Sequence, residues 1–455
     1  MHYKLLIIII ACFFNSAYSQ NDSVFIRQIY NEALSNGESY ENLRSLCKDI
    51  GARLTGSAEA EMAVNWGEQK MNSYNFDKVY KLPIKVPHWE RGTKEAGWIK
   101  TNKGEYLKVN LLALGGSIGT NGMIDEEVIM FSTLDELKNA DATKVNGKIV
   151  FINQHMDEKQ IQTFRAYGGC YAIRGYGAVE ASKKGAIAVI IRSLAIPQDD
   201  HPHTGTMSYS DDVQKIPAAA LSTNASNKLA DILNSSSAHF VLEMDCRDYP
   251  DVISYNVVAE ITGSENANNI ITFGGHLDSW DTGEGAHDDG AGIAHTLEAL
   301  RILKELGYKP KNTLRLVFFM NEENGNRGGM DYAKWAKEQE QENHILALES
   351  DRGGFAPRGF SMDGDREQLK LLASFKPLFK RYDLHIFDKG HSGVDIGPLK
   401  EQFKNIPLVG FVPDSQRYFD FHHSPNDVFE NVNRRELELG SAAITSILYL
   451  FDKNL

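Results

Sequence analysis

The chain has 455 residues, 42% of them hydrophobic and 24% charged, which supplies ample apolar material for a globular core. That length favours two or three domains. The formal charge of −13, with no Lys/Arg-rich run, argues against nucleic acid as a partner and for solubility and attraction of cations.

Residues 1–19 read as a targeting segment. Lys4 supplies a short positive region, and LLIIIIACFF follows as an apolar stretch too short to span a bilayer comfortably. Ala17 and Ser19 form an A-x-S cleavage signature, which leaves Gln20 as the mature start. A rival reading lipidates Cys12, but apolar Phe13 and Phe14 follow where a polar linker belongs. No later segment reads as a transmembrane helix, so the expectation is a secreted or periplasmic protein without a spanning anchor. Beyond the leader only Cys47, Cys170 and Cys246 remain. An odd count without C-x-x-C spacing excludes a disulfide scaffold and a thiolate zinc site.

From Asp22 to about Tyr80 the pattern is mainly helical, with Glu38 or Ser39 near a start, and from about Lys85 to Leu114 it is strand-like and punctuated by glycine. Residues 115–247 have a different texture. VNGKIVFINQ is a turn leading into a buried strand, AVEASKKGAIAVIIRS a helix stopped at Gly185 and followed by a strand, and QKIPAAALST a strand before an amphipathic helix through Leu233. Within this segment HPHTG (His201 to Gly205) carries clustered ligand-type residues, and a solvated loop is the expected reading.

Residues 248–455 alternate strands with helices. NVVAEITG, NIITFGG, TLRLVFFM, HILALES and IPLVGFV are near-continuous apolar runs, as expected of strands buried on both faces of a mixed, mostly parallel sheet. Ile293, Leu297, Leu300, Leu303 and Leu306 share one helix face, and a last helix runs from about Arg434 to Leu450. The expected fold class is therefore α/β, a three-layer α/β/α sandwich.

Ligands of open α/β sheets bind beyond the carboxyl ends of the strands, and the unusual residues gather there. GGHLDSWDTGEGAHDDGAG (Gly274 to Gly292) holds two His and four Asp among six Gly. Asn321, Glu322 and Glu323 follow TLRLVFFM, Glu349 and Asp351 end HILALES, and His422 and His423 come shortly after IPLVGFV. Asp288, Glu322, Glu323 and Asp351 in one cleft cannot all stay ionised without compensation, which two divalent cations would provide. His and carboxylate ligands without thiolate suit Zn²⁺ and tolerate Mn²⁺ or Co²⁺. His276 and Asp278 point to the same side of a strand end, so the Asp278 carboxylate could hold the imidazole nitrogen that faces away from a metal. Asp288 has two oxygens and can bridge two metals, while the glycines let the backbone fold tightly around the ions. Glu322 and Glu323 diverge at their strand end, so one would bind metal and the other deprotonate a water that hydrolyses an amide.

These motifs, together with FFMNEENG, ALESDRGG, DIGPL and YFDFHHSPND, resemble the M28 family of metallopeptidases, and within it the carboxypeptidase Q branch. The resemblance implies a zinc-exopeptidase fold split by an inserted segment like a protease-associated (PA) domain. The implied domains are a signal peptide at 1–19, peptidase parts at 20–114 and 248–455, and the PA-like insert at 115–247. It implies two zinc ions, one held by His276 and Asp351, the other by Glu323 and His423, with Asp288 bridging. Glu322 would be the general base and then the acid for the leaving amine, and Asp278 would orient His276. A cis peptide is implied at Asp288–Asp289. His423 is the implied ligand because it directly precedes Ser424. His422 stands where many aminopeptidase members carry Tyr, and would donate an N–H to the oxyanion. His391, where a small residue is expected, is a further departure. Peptides are the implied substrate, and the branch suggests a homodimer. An aminopeptidase with the same metals is the alternative; a catalytically inactive binding homologue would have lost ligands or the base, and all are present.

Overall fold

The structure is a computed structural model describing residues 21–455, so the expected leader and Cys12 lie outside the described residues. It is an α/β fold with two mixed sheets of eight strands each. In spatial order the first sheet runs Lys78–Glu90, Arg247–Ile261, Asn312–Phe319, Asn266–His276, Asn343–Glu349, Leu408–Pro413, Pro357–Asp363 and Ile386–Lys389. Its four middle strands, Asn312–Phe319 to Leu408–Pro413, are mutually parallel, while the outer pairings include antiparallel ones.

The apolar runs bury both faces of this sheet because successive side chains point to opposite sides. Val257, Ala259, Leu314, Leu316 and Phe318 enter one core, under the helices 21–36, Ala58–Ser73, Ala291–Glu305 and Arg434–Asn454. Val258, Val317 and Phe319, one residue out of step, enter another core with Tyr332, Ala333 and Leu399 from the helices Arg327–Glu338 and Leu399–Gln402. These helices on opposite faces make the three layers.

The second sheet is inserted between two neighbouring strands of the first. The chain leaves at Glu90 and returns at Arg247, and these two residues pair in register. The strands Glu95–Thr101, Tyr106–Val109 and Leu111–Ala113 belong to this second sheet. It therefore begins before residue 115, the boundary expected from composition. Glycine-punctuated strands resemble those of the preceding segment in composition, and only their pairing separates them. The sheet continues with Ile124–Phe131, Ile149–Ile152, Ala188–Arg192, Ala218–Leu221 and Ala238–Met244, and the long helix Thr163–Lys183 packs against it.

Cys47, Cys170 and Cys246 are buried and free. Among the described residues no helix is long and apolar enough to cross a membrane. In the first sheet Arg315 is buried, with Nε on Glu260 Oε1 at 2.7 Å and its two terminal nitrogens on Glu342 at 2.7 and 2.8 Å. Arg315→Met is expected to leave Glu260 in the core with only Lys78 and Tyr80 as partners and to lower unfolding free energy by about 1.5–3 kcal/mol in urea titrations; an unchanged midpoint would contradict this account.

Candidate metal centre

The four parallel strands present their carboxyl ends along one edge. His276 ends the strand Asn266–His276, Asn321–Glu323 follow Asn312–Phe319, and Asp351 comes two residues after Asn343–Glu349. His422 and His423 follow Leu408–Pro413 after the short turn Tyr418–Asp420. A side chain at Gly275 would lie 2.2 Å from Asp289 Oδ2, so the missing Cβ is the space that Asp289 occupies. Ala286–Gly290 form an irregular turn in which Asp288 and Asp289 leave helical geometry, and the peptide bond between them is cis.

His276 Nε2 lies 3.2 Å from Asp288 Oδ1 and 3.7 Å from Asp351 Oδ1. His423 Nε2 lies 3.2 Å from Asp288 Oδ2 and 3.1 Å from Glu323 Oε2. Asp288 thus stands between two imidazoles and turns one oxygen to each. His276 Nε2, Asp288 Oδ2, Glu323 Oε1 and Asp351 Oδ1 are all buried without a hydrogen-bond partner. Buried polar atoms in folded proteins are almost always partnered, so converging orphaned acceptors fit a site for divalent cations. A nitrogen and oxygen donor set without sulfur fits zinc and its neighbours in the first transition row.

The supporting contacts differ from expectation at Asp278. His276 Nδ1 donates to the backbone carbonyl of Asp278 at 3.0 Å, while the carboxylate is 3.9 Å away. That carboxylate instead accepts from the backbone N–H groups of Asn321, Glu322 and Glu323 at 2.7, 3.1 and 3.2 Å. Three amides outcompete one imidazole for two oxygens, and the carbonyl suffices to keep the proton on Nδ1 and the lone pair on Nε2. Asp278 therefore orients the ring through its backbone and the Glu322–Glu323 loop through its side chain.

Three further residues shape the loop. Asp427 accepts from the N–H of His287 at 2.7 Å and of Asp288 at 3.1 Å. Asp289 accepts from the N–H groups of His276 and Gly292, each at 3.1 Å. Arg53, fully buried, donates to the carbonyls of Leu277, Glu284 and Gly285 at 2.5, 2.6 and 3.0 Å, which closes the glycine-rich loop on itself. The sequence pattern singles out none of the three. Asp427 sits inside the YFDFHHSPND motif and was accessible as a signal; Arg53 lies in a stretch with no motif.

Glu322 is half-buried, and among the described residues no side chain hydrogen-bonds its carboxyl. Burial foremost, against the pull of His276, holds its pKa well above the usual carboxylate range. His422 stacks on His423 with ring centroids 3.5 Å apart, and its Nε2 is 3.8 Å from Asp288 Oδ2. Burial, reinforced by His423, keeps His422 neutral. Asp288 is held well below its usual range: burial would raise it, but the imidazoles of His276 and His423, each 3.2 Å from one of its oxygens, outweigh that. Burial pushes Glu323 and Asp427 up to about 7. Without cations, protons on buried acids and imidazoles must relieve the crowding.

His287, inside the glycine-rich loop, is buried between Phe355 and Phe421, with ring centroids 4.2 and 5.0 Å away. HPHTG is likewise not solvated as a whole: His201 is exposed, but His203 and Thr204 are buried against His422 and His423. The distant docking partner, invisible in local composition, is the reason. His391 lies exposed on the rim, where its carbonyl holds Arg352 at 2.7 Å.

The model of peptidase family M28 matches residues 256–447. Carboxypeptidase Q of Bos taurus is 34% identical over 430 residues, 94% of this chain and 88% of that protein. A crystal structure of a peptidase M28 precursor from Shewanella amazonensis SB2B superposes with a TM-score of 0.90 at 32% identity, covering 95% of this chain and 97% of that one. BSAP, a zinc aminopeptidase from Bacillus subtilis, shares the fold with a TM-score of 0.64 at 18% identity, over 90% of this chain and 93% of its own.

Carboxyls raised to about 7 favour the folded state only while protonated, and that contribution is lost as pH rises through about 7. A divalent cation removes the penalty. Added zinc is therefore expected to raise the melting temperature of chelator-stripped protein more at about pH 8 than at about pH 5.5. Equal shifts at both pH values in differential scanning fluorimetry would contradict the electrostatic account.

Proposed function

The chain belongs to peptidase family M28 and is a metallo-exopeptidase, and from that premise we propose a secreted, carboxypeptidase Q-type enzyme that holds two zinc ions and cleaves dipeptides or short peptides. The observation that carries the reading is Asp288, placed between His276 and His423 with one oxygen toward each. His276 and Asp351 would hold one ion, Glu323 and His423 the other, and Asp288 both. The zinc assignment draws on the donor set and on the printed name of the Bacillus subtilis neighbour.

When bound, the ions would supply Lewis-acid polarisation of the scissile carbonyl and acidify a water. The chain's own residues then divide the work. Glu322, unbonded and half-buried, takes the proton of the attacking water and delivers it to the leaving amine. Asp278 fixes Glu322 and Glu323 relative to each other through their amides. His422, neutral and beside Asp288, has an N–H to offer the oxyanion as the carbonyl becomes tetrahedral. The amide-bonded carboxylates hold the ligand loop in place before substrate arrives.

The same reading takes 1–19 as a signal peptide and the inserted sheet as a PA-like domain, and extends to a homodimer. The insertion between two paired strands supports the second of these; the motif resemblance supports the others. The aminopeptidase alternative shares every metal ligand and is separated by substrate.

Glu322→Gln is expected to lower kcat by about 100- to 10,000-fold while two metals remain bound. A near wild-type rate in metal-replete Glu322→Gln would overturn the assignment of the base. With wild-type enzyme, C-terminal amidation should abolish cleavage of short peptides. Loss of cleavage on N-acetylation instead, with amidated peptides still cut, would establish the aminopeptidase.

A further inference from the structure

The HPHTG motif has no part in the reading so far, yet its turn is buried against the metal ligands. His203 Nδ1 donates to the carbonyl of His422 at 2.6 Å, and Thr204 N–H donates to the carbonyl of His423 at 2.9 Å. The Thr204 carbonyl in turn lies 3.3 Å from His423 Nδ1. The turn itself is anchored within the inserted sheet. His203 N–H donates to Ser193 Oγ at 2.8 Å, Thr204 Oγ1 to the carbonyl of Ala113 at 2.7 Å, and Gly115 N–H to the carbonyl of Gly205 at 3.0 Å.

We propose that the turn His203–Gly205 is a positioning element for His422 and His423, and that the metal position built from His423 and Glu323 is complete only with the inserted sheet docked. The inference rests on the two-zinc reading above. A histidine that ligates through Nε2 carries its proton on Nδ1, and a fixed acceptor for that proton sets both tautomer and ring orientation. The Thr204 carbonyl is that acceptor. Arg174 Nη1 lies 3.3 Å from both His423 Nδ1 and the Thr204 carbonyl. A protonated Nδ1 cannot accept from a guanidinium, so Arg174 donates to the carbonyl and holds it in place.

Two backbone features agree. His423 has φ of +59°, unfavourable for a side chain of its size, and the bonds from Thr204 N–H and His203 hold the backbone on either side of it. Gly205 has φ of +136°, and a Cβ there would lie 2.4 Å from Arg174 Nη1 and 2.6 Å from His423 Nδ1. Glycine is what allows the turn this close to the ligand. His203, Thr204 and Arg174 thus act through His423 without touching the reacting atoms.

The test is metal affinity of the full-length protein, read by chelator competition with zinc and by the visible absorption of cobalt. Wild type is expected to bind two ions. His203→Ala should weaken one of them about 10- to 100-fold and alter the cobalt spectrum, and Thr204→Val, which keeps shape and removes the anchor on Ala113, about 10-fold. His203→Asn, whose amide can replace the Nδ1 donor, should restore affinity and spectrum. Thr204→Val decides the matter if His203→Ala does not fold. Unchanged affinity for both ions in folded His203→Ala or Thr204→Val would overturn this inference alone; wild-type protein that holds only one ion would overturn the two-zinc reading beneath it.

Discussion

Carboxylates crowded around Asp288, in a space nearly closed to water, are the constraint that organises this molecule. Like charges in a poorly solvated cleft must be neutralised by protons, cations or hydrogen bonds. The structure sorts its acids by which remedy each receives. Asp278, Asp289, Asp427 and Glu349 accept backbone N–H groups. Asp288, Glu323 and Asp351 keep buried oxygens without partners. The first group holds the loops; the second is left available for ions. Asp395 follows neither pattern: neither of its buried oxygens is bonded, and burial, then Glu349, pushes its pKa well above the usual range.

Much of the scaffold that sets up this crowding was legible in sequence because it rests on short-range regularities. The apolar runs around Phe273, Phe318 and Leu348 specify strands buried on both faces, and the polar residues that end them mark the ligand edge. His276, Asp288, Glu323, Asp351 and His423 do come together where those runs end. What was not legible depends on contacts between distant segments. Arg53 lies in an unremarkable stretch, and its role appears only when the glycine loop folds over it. Nothing local shows that Asp278 would give its carbonyl, not its carboxylate, to His276, because three amides from another strand end decide that. His203 and Thr204 read as solvated for the same reason.

The inserted sheet illustrates how topology can couple two cores without a long linker. Glu90 and Arg247 are paired neighbours on adjacent strands, so the whole second sheet hangs from one end of a two-stranded ribbon. Such an attachment alone would permit hinge motion. The helix Thr163–Lys183 and the turn at His203 make a second connection, through Arg174 and Tyr167 packed beside His422 and His423. Relative motion of the two sheets would therefore be felt directly at the ligand side chains.

Arg53 also bears on the order of events during biosynthesis. The guanidinium that ties the glycine loop emerges from the ribosome among the first segments, whereas His423 and Asp427 emerge among the last. A nascent chain that stops short of His423 lacks a ligand, so the centre cannot assemble before that residue has been made. Loading with both ions must therefore wait until the strand Leu408–Pro413 and the turn after it have been made, well after the glycine loop that Arg53 closes.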